Sequence, residues 1–293
     1  MSSASDFIVR PLVPTEPVHA PTAGYGRRMD ASPIGIIGGS GLYELLEDAS
    51  QVRVETPYGD PSDPVHVGTL GGRSVAFLPR HGAAHRFPPH RVPYRANLWA
   101  LRSLGVRRVL APSAVGALRP DLAPGTLVVP DQIIDSTWGR DSTYYDAAGS
   151  VVHVGFADPY CPQGRTAVRS GTMPVVDGGT LVVIQGPRFS SRAESLRNAA
   201  AGGDVVGMTG MPEAVLAREL ALCYTGLAVV TDADAGVEAA GAVSHQAVLE
   251  QFARSVAHLR TVLADVVAAL PVDDECSCRH ALDGLTVPFE LPA

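Results

Sequence analysis

The amino-acid sequence predicts an α/β protein with a central, largely buried sheet. Short apolar runs rich in β-branched residues, typical of buried strands, recur along the chain. Segments with a 3.6-residue apolar period lie between them, and this alternation is typical of a sheet covered by helices. Because the sequence has neither an internal repeat nor an evident interdomain linker, it favours one domain over residues 33–272. An N-terminal extension (1–32) and a C-terminal tail (273–293) flank that domain.

The predicted strands are the apolar runs. The first, Ser32–Ile37, ends in the glycine-rich turn Gly38–Gly41. The others follow in the order Pro64–Leu70, Ser74–Leu78, Arg108–Ala111, Thr126–Val129, Thr180–Ile184 and Thr225–Val230.

Helical periodicity predicts three helices, over Tyr94–Leu104, Met211–Tyr224 and Val243–Leu270. The second has Pro212 and Glu213 in its first turn, where a missing N–H and a negative charge both suit a helix start. Ser244 can cap the third helix.

Composition excludes several classes of function. Twenty-three basic and thirty acidic side chains give a net charge of −7, which disfavours a protein that neutralises nucleic-acid backbone. No apolar run reaches the roughly 18 residues of a membrane helix, and the N-terminal sequence lacks the pattern of a signal peptide. Four cysteines in a chain this long do not form a disulfide framework. We therefore expect a cytoplasmic protein without nucleic-acid or membrane partners.

The glycine-rich turn Gly38–Gly41 follows a strand, where phosphate-binding turns occur. It lacks the third glycine of a dinucleotide fingerprint, because Glu44 stands there, and it lacks the lysine of a P-loop. Two interpretations stay open. The amides and the Ser40 hydroxyl can hold a free oxyanion, or the segment is simply a tight turn.

Two further loops after predicted strands carry groups that bind oxyanions. Arg80 can grip two oxygens in a fork and His81 can donate one more bond, although an isolated Arg-His pair is usually a surface feature. The third candidate is Pro112–Gly116, which contains Ser113. Since α/β sheets bind ligands at the carboxyl ends of their strands, the three loops predict one anion site.

Asp232 and Asp234 follow the last predicted strand at alternating positions, so both side chains are expected to face one ligand edge. The structural alternatives for such a pair are a turn or two metal ligands. We predict no metal, because no histidine or cysteine cluster accompanies the two aspartates in the sequence. Cys276 and Cys278, with His280 nearby, are too few for a tetrahedral zinc site and are expected as free thiols or a Cys-x-Cys disulfide.

Eight segments together resemble the trimeric branch of the purine nucleoside phosphorylase superfamily, and most closely its 5′-methylthioadenosine phosphorylases. They are IGIIGGSGLYE, TPYGDPSDPV, FLPRHGAAHRFPPHRVPYRANLWAL, VVPDQIID, FADPYCP, VIQGPRFSSRAES, MTGMPEAVLARELALCY and VVTDADAG, in family order from residue 34 to about 236. The resemblance implies a mixed central β-sheet flanked by helices. It also implies a homotrimer, with a hexamer as the alternative, and no cofactor, since inorganic phosphate is a co-substrate.

The family reaction is phosphorolysis of a nucleoside, in which phosphate attacks C1′ while the purine leaves. Its transition state resembles an oxocarbenium ion, so catalysis depends on positioning and electrostatics. The resemblance assigns the phosphate pocket to Ser40, Arg80, His81, Ser113, the Ala114 amide and Thr209. The family often has threonine at the positions of Ser40 and Ser113, and serine retains the hydroxyl.

The resemblance also implies a nucleoside site. Asp232 would be the general acid that protonates N7, with a pKa raised by burial, and Asp234 its partner at the 6-amino edge. Relatives that prefer 6-oxopurines have asparagine at the position of Asp232. Phe189 and Ser190 would contact purine and sugar, and Met208 would lie under the ribose; without the resemblance, Phe189 and Met208 would be interpreted as core residues.

The 5′ pocket is where the resemblance leaves the substrate open. His245, Val248 and Leu249 stand at the start of the last predicted helix, and His153 resembles a residue that reaches a neighbouring subunit's pocket. Val248 and Leu249 suit a methylthio group. His245 stands where relatives bind a 5′-hydroxyl, so adenosine or a 5′-halogenated adenosine is the alternative substrate, unless His245 is an exposed first-turn residue. A non-catalytic purine-binding protein is the alternative outside the enzymes.

Overall fold

The computed structural model describes residues 32–39, 42, 45–149, 151–234, 245–272 and 275–292, with the backbone alone at 245–249 and 252. The strands are β1 Ile34–Gly38, β2 Glu47–Val52, β3 Val65–Leu70, β4 Arg73–Pro79, β5 Arg108–Ala117, β6 Leu127–Val129, β7 Gln132–Ser136, β8 Val176–Asp177, β9 Thr180–Ile184, β10 Val205–Gly207 and β11 Cys223–Ala233. The helices are α1 Tyr94–Ser103, α2 Pro162–Arg169, α3 Arg192–Ala200, α4 Gly210–Glu219 and α5 His245–Ala269. Short 3-10 helices lie at Ala83–His85, Pro89–Arg91 and Ser277–His280.

The strands form one mixed sheet, which confirms the predicted α/β class. Its main path runs β2-β3-β4-β1-β5-β10-β9-β7, while β11 pairs with β5 and β6, and β6 with β8. Pairs such as β1–β4 and β5–β11 are parallel, whereas β3–β4 and β5–β10 are antiparallel.

The two faces of the sheet bury separate apolar clusters, because successive side chains of a strand point to opposite faces. Ile37 of β1 packs in the cluster that contains side chains of α1 and α4. Ile36, one residue earlier, packs in the cluster that contains side chains of α2 and α5. Helices therefore cover both faces, as the alternation of strands and helices predicted. None of the helices in the described part of the chain has both the length and the apolar character needed to cross a bilayer.

The β5 strand is the centre of the sheet. Along one edge it pairs with β11 from Arg108 to Ala117. Its other edge pairs with β1 only at residues 108–110 and with β10 only at 116–117. Residues 111–115 of β5 consequently face a gap between these two neighbours, the kind of place where open α/β sheets bind ligands.

Most of the predicted elements are confirmed, and three of their limits are wrong. The last strand, predicted over Thr225–Val230, extends over Cys223–Ala233, so Asp232 lies within it and not after it. Pro112–Gly116 is not a loop, because β5 continues through it while β11 pairs with it residue by residue. The helix predicted over Met211–Tyr224 ends at Glu219. Ala221 adopts a left-handed backbone (φ 50°), which ends helices, and Tyr224 already lies in β11.

Residues 275–292 pack against the body of the protein. The Phe289 ring stacks on Tyr145 at 5.4 Å between centroids and lies 5.6 Å from that of Trp99. Nearer to the start of the segment, Cys276 and Cys278 are buried in one cluster with Cys161 and Cys223. The meeting of Cys276 and Cys278 with Cys161 and Cys223 differs from the expectation, which placed only His280 near the Cys-x-Cys pair.

Candidate active site

Three of the residues assigned to phosphate line one narrow cavity. Arg80 follows β4, Ser113 lies in β5 and Thr209 precedes α4, and all three contribute to its wall. Thr209 occupies the N-cap position of α4, yet its side chain makes no capping hydrogen bond. Gly210 lines the same cavity, and the regular turns of α4 begin after it, because Met211 has an extended backbone (φ −119°, ψ 138°).

Arg80 does not present the free fork that the sequence predicted. Its Nε and Nη2 donate to the two carboxylate oxygens of Glu213 at 2.8 and 2.9 Å, and both side chains are buried. Nη1 and Nη2 also donate to the carbonyls of Pro112 and Ile37, each at 2.9 Å. Four of the five N–H donors of a guanidinium are thereby used within the protein. The structure corrects the prediction because the buried Glu213 carboxylate takes the fork, which leaves one N–H on Nη1 for a ligand.

His81 is buried and uncharged at neutral pH. Burial lowers its pKa to about 4, and the charge of neighbouring Arg80 acts in the same direction. Its Nδ1 lies 2.8 Å from the Phe87 carbonyl, and since a carbonyl only accepts, Nδ1 carries the proton. In the neutral ring Nε2 is therefore an acceptor. The predicted additional donor to phosphate is wrong for this state, and Nε2 suits the protonated oxygen of hydrogen phosphate instead.

Ala114 lies in β5 beside the gap between β1 and β10. The Pro112 carbonyl accepts from Arg80, so it points to the edge of β5 on which Arg80 lies. Because alternate residues of a strand direct their N–H and C=O groups to the same edge, the Ala114 N–H points there too. The Val115 carbonyl, by contrast, lies 3.2 Å from the Thr231 hydroxyl of β11 on the opposite edge. This geometry fits the predicted role of the Ala114 amide as an oxyanion donor.

Asp232 and Asp234 lie on the same side of β11, at its carboxyl end. A Cβ added at Gly116 of β5 would lie 3.3 Å from Asp232 Oδ2 and 3.3 Å from Asp234 Cβ, so both aspartates approach this glycine. The register shifts between Val230 and Asp232, which makes Thr231 the extra residue of a β-bulge. Bulges of this kind redirect side chains at the ends of strands.

The environments of the two carboxylates differ. Burial raises the pKa of Asp232, the hydrogen bond from Thr231 (2.7 Å) lowers it, and the charge of Asp234 raises it further. Asp234 is more deeply buried, and its Oδ2 accepts a 2.5 Å bond from the Ser195 hydroxyl of α3. A carboxyl group that holds its proton more readily can act as a general acid. Asp234, which the Ser195 hydroxyl holds in place, can accept hydrogen bonds.

The QGPRF loop is built against Met208. Gly186 has φ +61°, and a Cβ there would lie 2.6 Å from the Met208 sulfur, so only glycine allows this approach. Arg188 pairs with Glu194 at 2.7 Å, and Glu194 with Ser191 forms the capping box of α3. The loop and its helix thus position Ser195, the partner of Asp234.

Arg140 connects the QGPRF loop with the segment that contains Met208 and Met211, and the sequence did not predict this role. Its Nη1 donates to the carbonyls of Met208 (2.9 Å) and Met211 (2.5 Å), and its Nη2 to that of Gln185 (2.7 Å). Nε also donates to Gln185 Oε1 at 3.1 Å. This side-chain oxygen is common to glutamine and glutamate, so the departure of Gln185 from the family's glutamate preserves the contact. The segment TWGRDST around Arg140 carries no periodic or glycine-rich signal that could have predicted it.

The remaining predicted residues differ in what the structure describes. Phe189 and Ser190 are half-buried, and the Ser190 hydroxyl is enclosed with no protein hydrogen-bond partner. His153 is exposed on the loop before α2. Ser40 and the side chains of His245, Val248 and Leu249 lie outside the described residues.

Known proteins resemble this chain over most of its length. A family model described as the phosphorylase superfamily matches residues 33–268. A purine nucleoside phosphorylase of Streptomyces coelicolor is 58% identical over 272 residues, which covers 88% of this chain and 97% of that protein. An S-methyl-5′-thioadenosine phosphorylase of Mycolicibacterium smegmatis is 57% identical over 262 residues, with coverages of 88% and 99%. A solved structure, a variant of the adenosine/methylthioadenosine phosphorylase of Schistosoma mansoni in complex with methylthioadenosine, is 40% identical. It superposes with a TM-score of 0.77 over 83% of this chain and 93% of that one.

Proposed function

Because the chain belongs to the phosphorylase superfamily, we propose that it cleaves 5′-methylthioadenosine with inorganic phosphate to adenine and 5-methylthioribose 1-phosphate. Such an enzyme is a pentosyltransferase. The observation that carries the proposal is the arrangement along β5. Ser113 lines the anion cavity, and Gly116, three residues further on, is flanked by the two aspartates. Three residues of strand span about 10 Å. Because the Ser113 side chain and a Gly116 Cβ point to opposite faces of β5, a nucleoside that joins the two places would pass the open edge of residues 111–115.

Phosphate would bind in the cavity among neutral and positive donors. The Ser113 and Thr209 hydroxyls, the Ala114 amide and the last Nη1 hydrogen of Arg80 would hold its oxygens. Neutral His81 would accept at Nε2 a hydrogen bond from the protonated oxygen of hydrogen phosphate. Bound in this way, phosphate can approach C1′ and stabilise the positive charge that develops on the sugar.

Asp232 would protonate the leaving base. As the C1′–N9 bond breaks and a phosphate oxygen bonds to C1′, negative charge accumulates on adenine, and protonated Asp232 would transfer its proton to N7. The proton of hydrogen phosphate balances the reaction, because the sugar phosphate leaves without it and the carboxyl group can be reprotonated. Asp234, fixed by Ser195, would accept a hydrogen bond from the 6-amino group.

The nucleoside would be held by the QGPRF loop. Phe189 would contact the purine, the unpartnered Ser190 hydroxyl would find its partner in the ligand, and Met208 would lie under the ribose. We propose a homotrimer, in which His153 of one subunit reaches the 5′ pocket of the next. His245, Val248 and Leu249 would line the same pocket. A hexamer is the alternative assembly.

A second candidate is a phosphorylase of adenosine or of 5′-halogenated adenosine. It is favoured by His245 in the sequence and by the names of the Streptomyces and Schistosoma relatives. The four buried thiols support a reducing compartment, which we take to be the cytoplasm. No cofactor is needed by the proposed chemistry.

Phosphate-dependent release of the base separates these candidates. The enzyme should cleave 5′-methylthioadenosine with a higher kcat/KM than adenosine or 5′-chloroadenosine, and inosine should be the poorest substrate because its 6-oxo group faces two carboxylates. A preference for adenosine would establish the second candidate. Rapid inosine cleavage would contradict the role of Asp232. Binding of purine without turnover at any phosphate concentration would identify a non-catalytic protein.

A further inference from the structure

Four cysteines from three separate parts of the chain converge in the interior. Cys161 is the N-cap residue of α2, Cys223 begins β11, and Cys276 and Cys278 belong to the C-terminal segment around the 3-10 helix Ser277–His280. All four are buried, and their sulfur atoms lie within 4.8 Å of one another. Each is a free thiol. No residue of the proposed active site belongs to this cluster.

The distances fit one tetrahedral metal ion. Zinc binds thiolate sulfur at about 2.3 Å, which places the sulfurs of a tetrahedron about 3.8 Å apart. The sulfurs of Cys161 and Cys276, more than a hundred residues apart in the chain, lie 3.6 Å from each other. Two disulfides would require only that the cysteines meet in pairs. The mutual approach of all four sulfurs is what a single ion requires.

The hydrogen bonds around the sulfurs are those that thiolates accept. Arg108 Nη1 lies 3.9 Å from the Cys223 sulfur, and the Gly164 N–H donates to the Cys161 sulfur at 3.4 Å. Such donors stabilise negative sulfur and are the outer shell that metal-binding thiolates need.

A second set of contacts holds this outer shell in place. Arg108 Nη1 also donates to Gln163 Oε1 at 2.8 Å, and Gln163 Nε2 donates to the carbonyl of Glu275 at 2.5 Å. These bonds connect β5, α2 and the residue that precedes Cys276. The arginine also supplies positive charge beside a cluster in which several thiolates would otherwise repel one another.

We propose that Cys161, Cys223, Cys276 and Cys278 bind one zinc ion as four thiolates. On binding, each sulfur that is still a thiol releases its proton, and four thiolates with Zn²⁺ carry a net charge of −2 that Arg108 partly balances. Since the protein supplies all four ligands, no position is left for water or substrate, and the ion is structural. The expectation that the protein binds no metal is revised accordingly, because sequence spacing did not reveal that Cys161 and Cys223 join the Cys-x-Cys segment.

The ion would fasten the C-terminal segment to the body of the protein. Cys223 and Asp232 lie at opposite ends of β11, nine residues or about 30 Å apart, so the ion takes no part in the proposed chemistry. Without it, residues 275–292 would keep contacts such as that of Phe289 with Tyr145. They would lose the bonds that the ion makes to Cys161 of α2 and to Cys223 of β11.

The test measures metal and thiols rather than activity. Full-length protein, purified without a metal-affinity tag and dialysed, is analysed by elemental mass spectrometry, by thiol titration under denaturing conditions and by intact mass. The wild type should contain about one zinc per chain, and all four thiols should titrate only after denaturation. The variant Cys276→Ser/Cys278→Ser should contain none and unfold at a lower temperature. Ser277→Ala, an exposed change between the two cysteines, should retain the full zinc content.

The wild-type measurements stand even where the double variant fails to fold. Absence of zinc together with four titratable thiols would overturn the proposal. An intact mass short of four hydrogens, with no titratable thiol, would overturn it in favour of two disulfides. Full zinc content in the folded double variant would overturn the ligand assignment. None of these outcomes depends on whether the protein cleaves a nucleoside.

Discussion

Arg80 is predicted to act first as a structural partner of Glu213 and only second as a phosphate ligand. Arg80→Met removes the guanidinium while keeping an unbranched side chain in the same space. Two charge-assisted bonds to Glu213 are lost, together with the bonds to the carbonyls of Pro112 and Ile37. Glu213 then retains the Tyr224 hydroxyl as a donor at 2.8 Å. The positive charge that balanced its buried carboxylate is gone.

The expected loss follows from this burial. Breaking one side of a buried ion pair costs about 3–5 kcal/mol, because the remaining charge stays desolvated. In a domain of this size each kcal/mol lowers the melting temperature by about 2–4 °C, so Arg80→Met should melt about 6–20 °C below the wild type. Arg119→Met is the matched control. Arg119 also contacts two carboxylates, those of Asp121 and Asp204, but at the surface, and its loss should change the unfolding temperature little.

The contribution of Arg80 to phosphate binding is measured in a double variant that lacks both charges of the ion pair. Arg80→Met/Glu213→Gln removes both charges and leaves the glutamine able to accept from Tyr224, so part of the lost stability should return. The rise of its KM for phosphate above the wild-type value then reports the loss of the one N–H that Arg80 leaves for a ligand. The loss of one hydrogen bond to a charged ligand costs about 1.5–3 kcal/mol, or roughly a tenfold to hundredfold rise in KM. If Arg80→Met unfolds no earlier than Arg119→Met, the assignment of the fork to Glu213 is refuted.

Three further predictions concern neighbouring residues. Burial lowers the pKa of His81 to about 4, against about 6.5 in an unfolded chain, so the unfolded state takes up the proton first as the pH falls. The stability that neutral His81 contributes is complete above pH about 6.5 and is lost towards pH 4. In urea titrations, the free energy of unfolding of His81→Gln should therefore fall less steeply over this pH range than that of the wild type. Thr231→Val removes a hydrogen bond that lowers the pKa of Asp232, so the basic limb of the kcat/KM pH profile should move upwards, whereas Thr231→Ser should keep it. Arg140→Met should raise the nucleoside KM about tenfold or more by releasing the motif carbonyls, and Arg218→Met, which also loses bonds to carbonyls, should not.

The sheet was predictable because its buried strands have continuous apolar sequences. Runs such as Thr180–Ile184 must be apolar to lie between two layers of helices, and this requirement is visible without a structure. The β2 strand shows the opposite case. Its sequence EDASQV is polar because the strand is exposed, and only pairing with β3 makes it a strand. The helix α3 is equally hidden, because its sequence RAESLRNAA is mostly polar and its buried residues are Ser195 and Asn198.

The candidate site was predictable in its residue types and not in their partners. The spacing of Asp232 and Asp234 predicts that they share a face, because alternation is a property of the strand itself. Glu213 lies 133 residues from Arg80 in the sequence, and nothing local indicates that it takes the guanidinium fork. The same holds for Arg140 and for the meeting of the four cysteines, which long-range folding brings about.

Proton donation by Asp232 to the departing 6-aminopurine is tested most directly by Asp232→Asn on two substrates that differ only in the base. The assay compares kcat/KM for 5′-methylthioadenosine and for 5′-methylthioinosine at saturating phosphate. An amide cannot supply the proton, so the value for methylthioadenosine should fall by about 10²–10⁴. The ratio of the two values should shift towards the 6-oxopurine, which can accept a bond from the new amide. An unchanged ratio, with wild-type turnover of methylthioadenosine, would contradict the account.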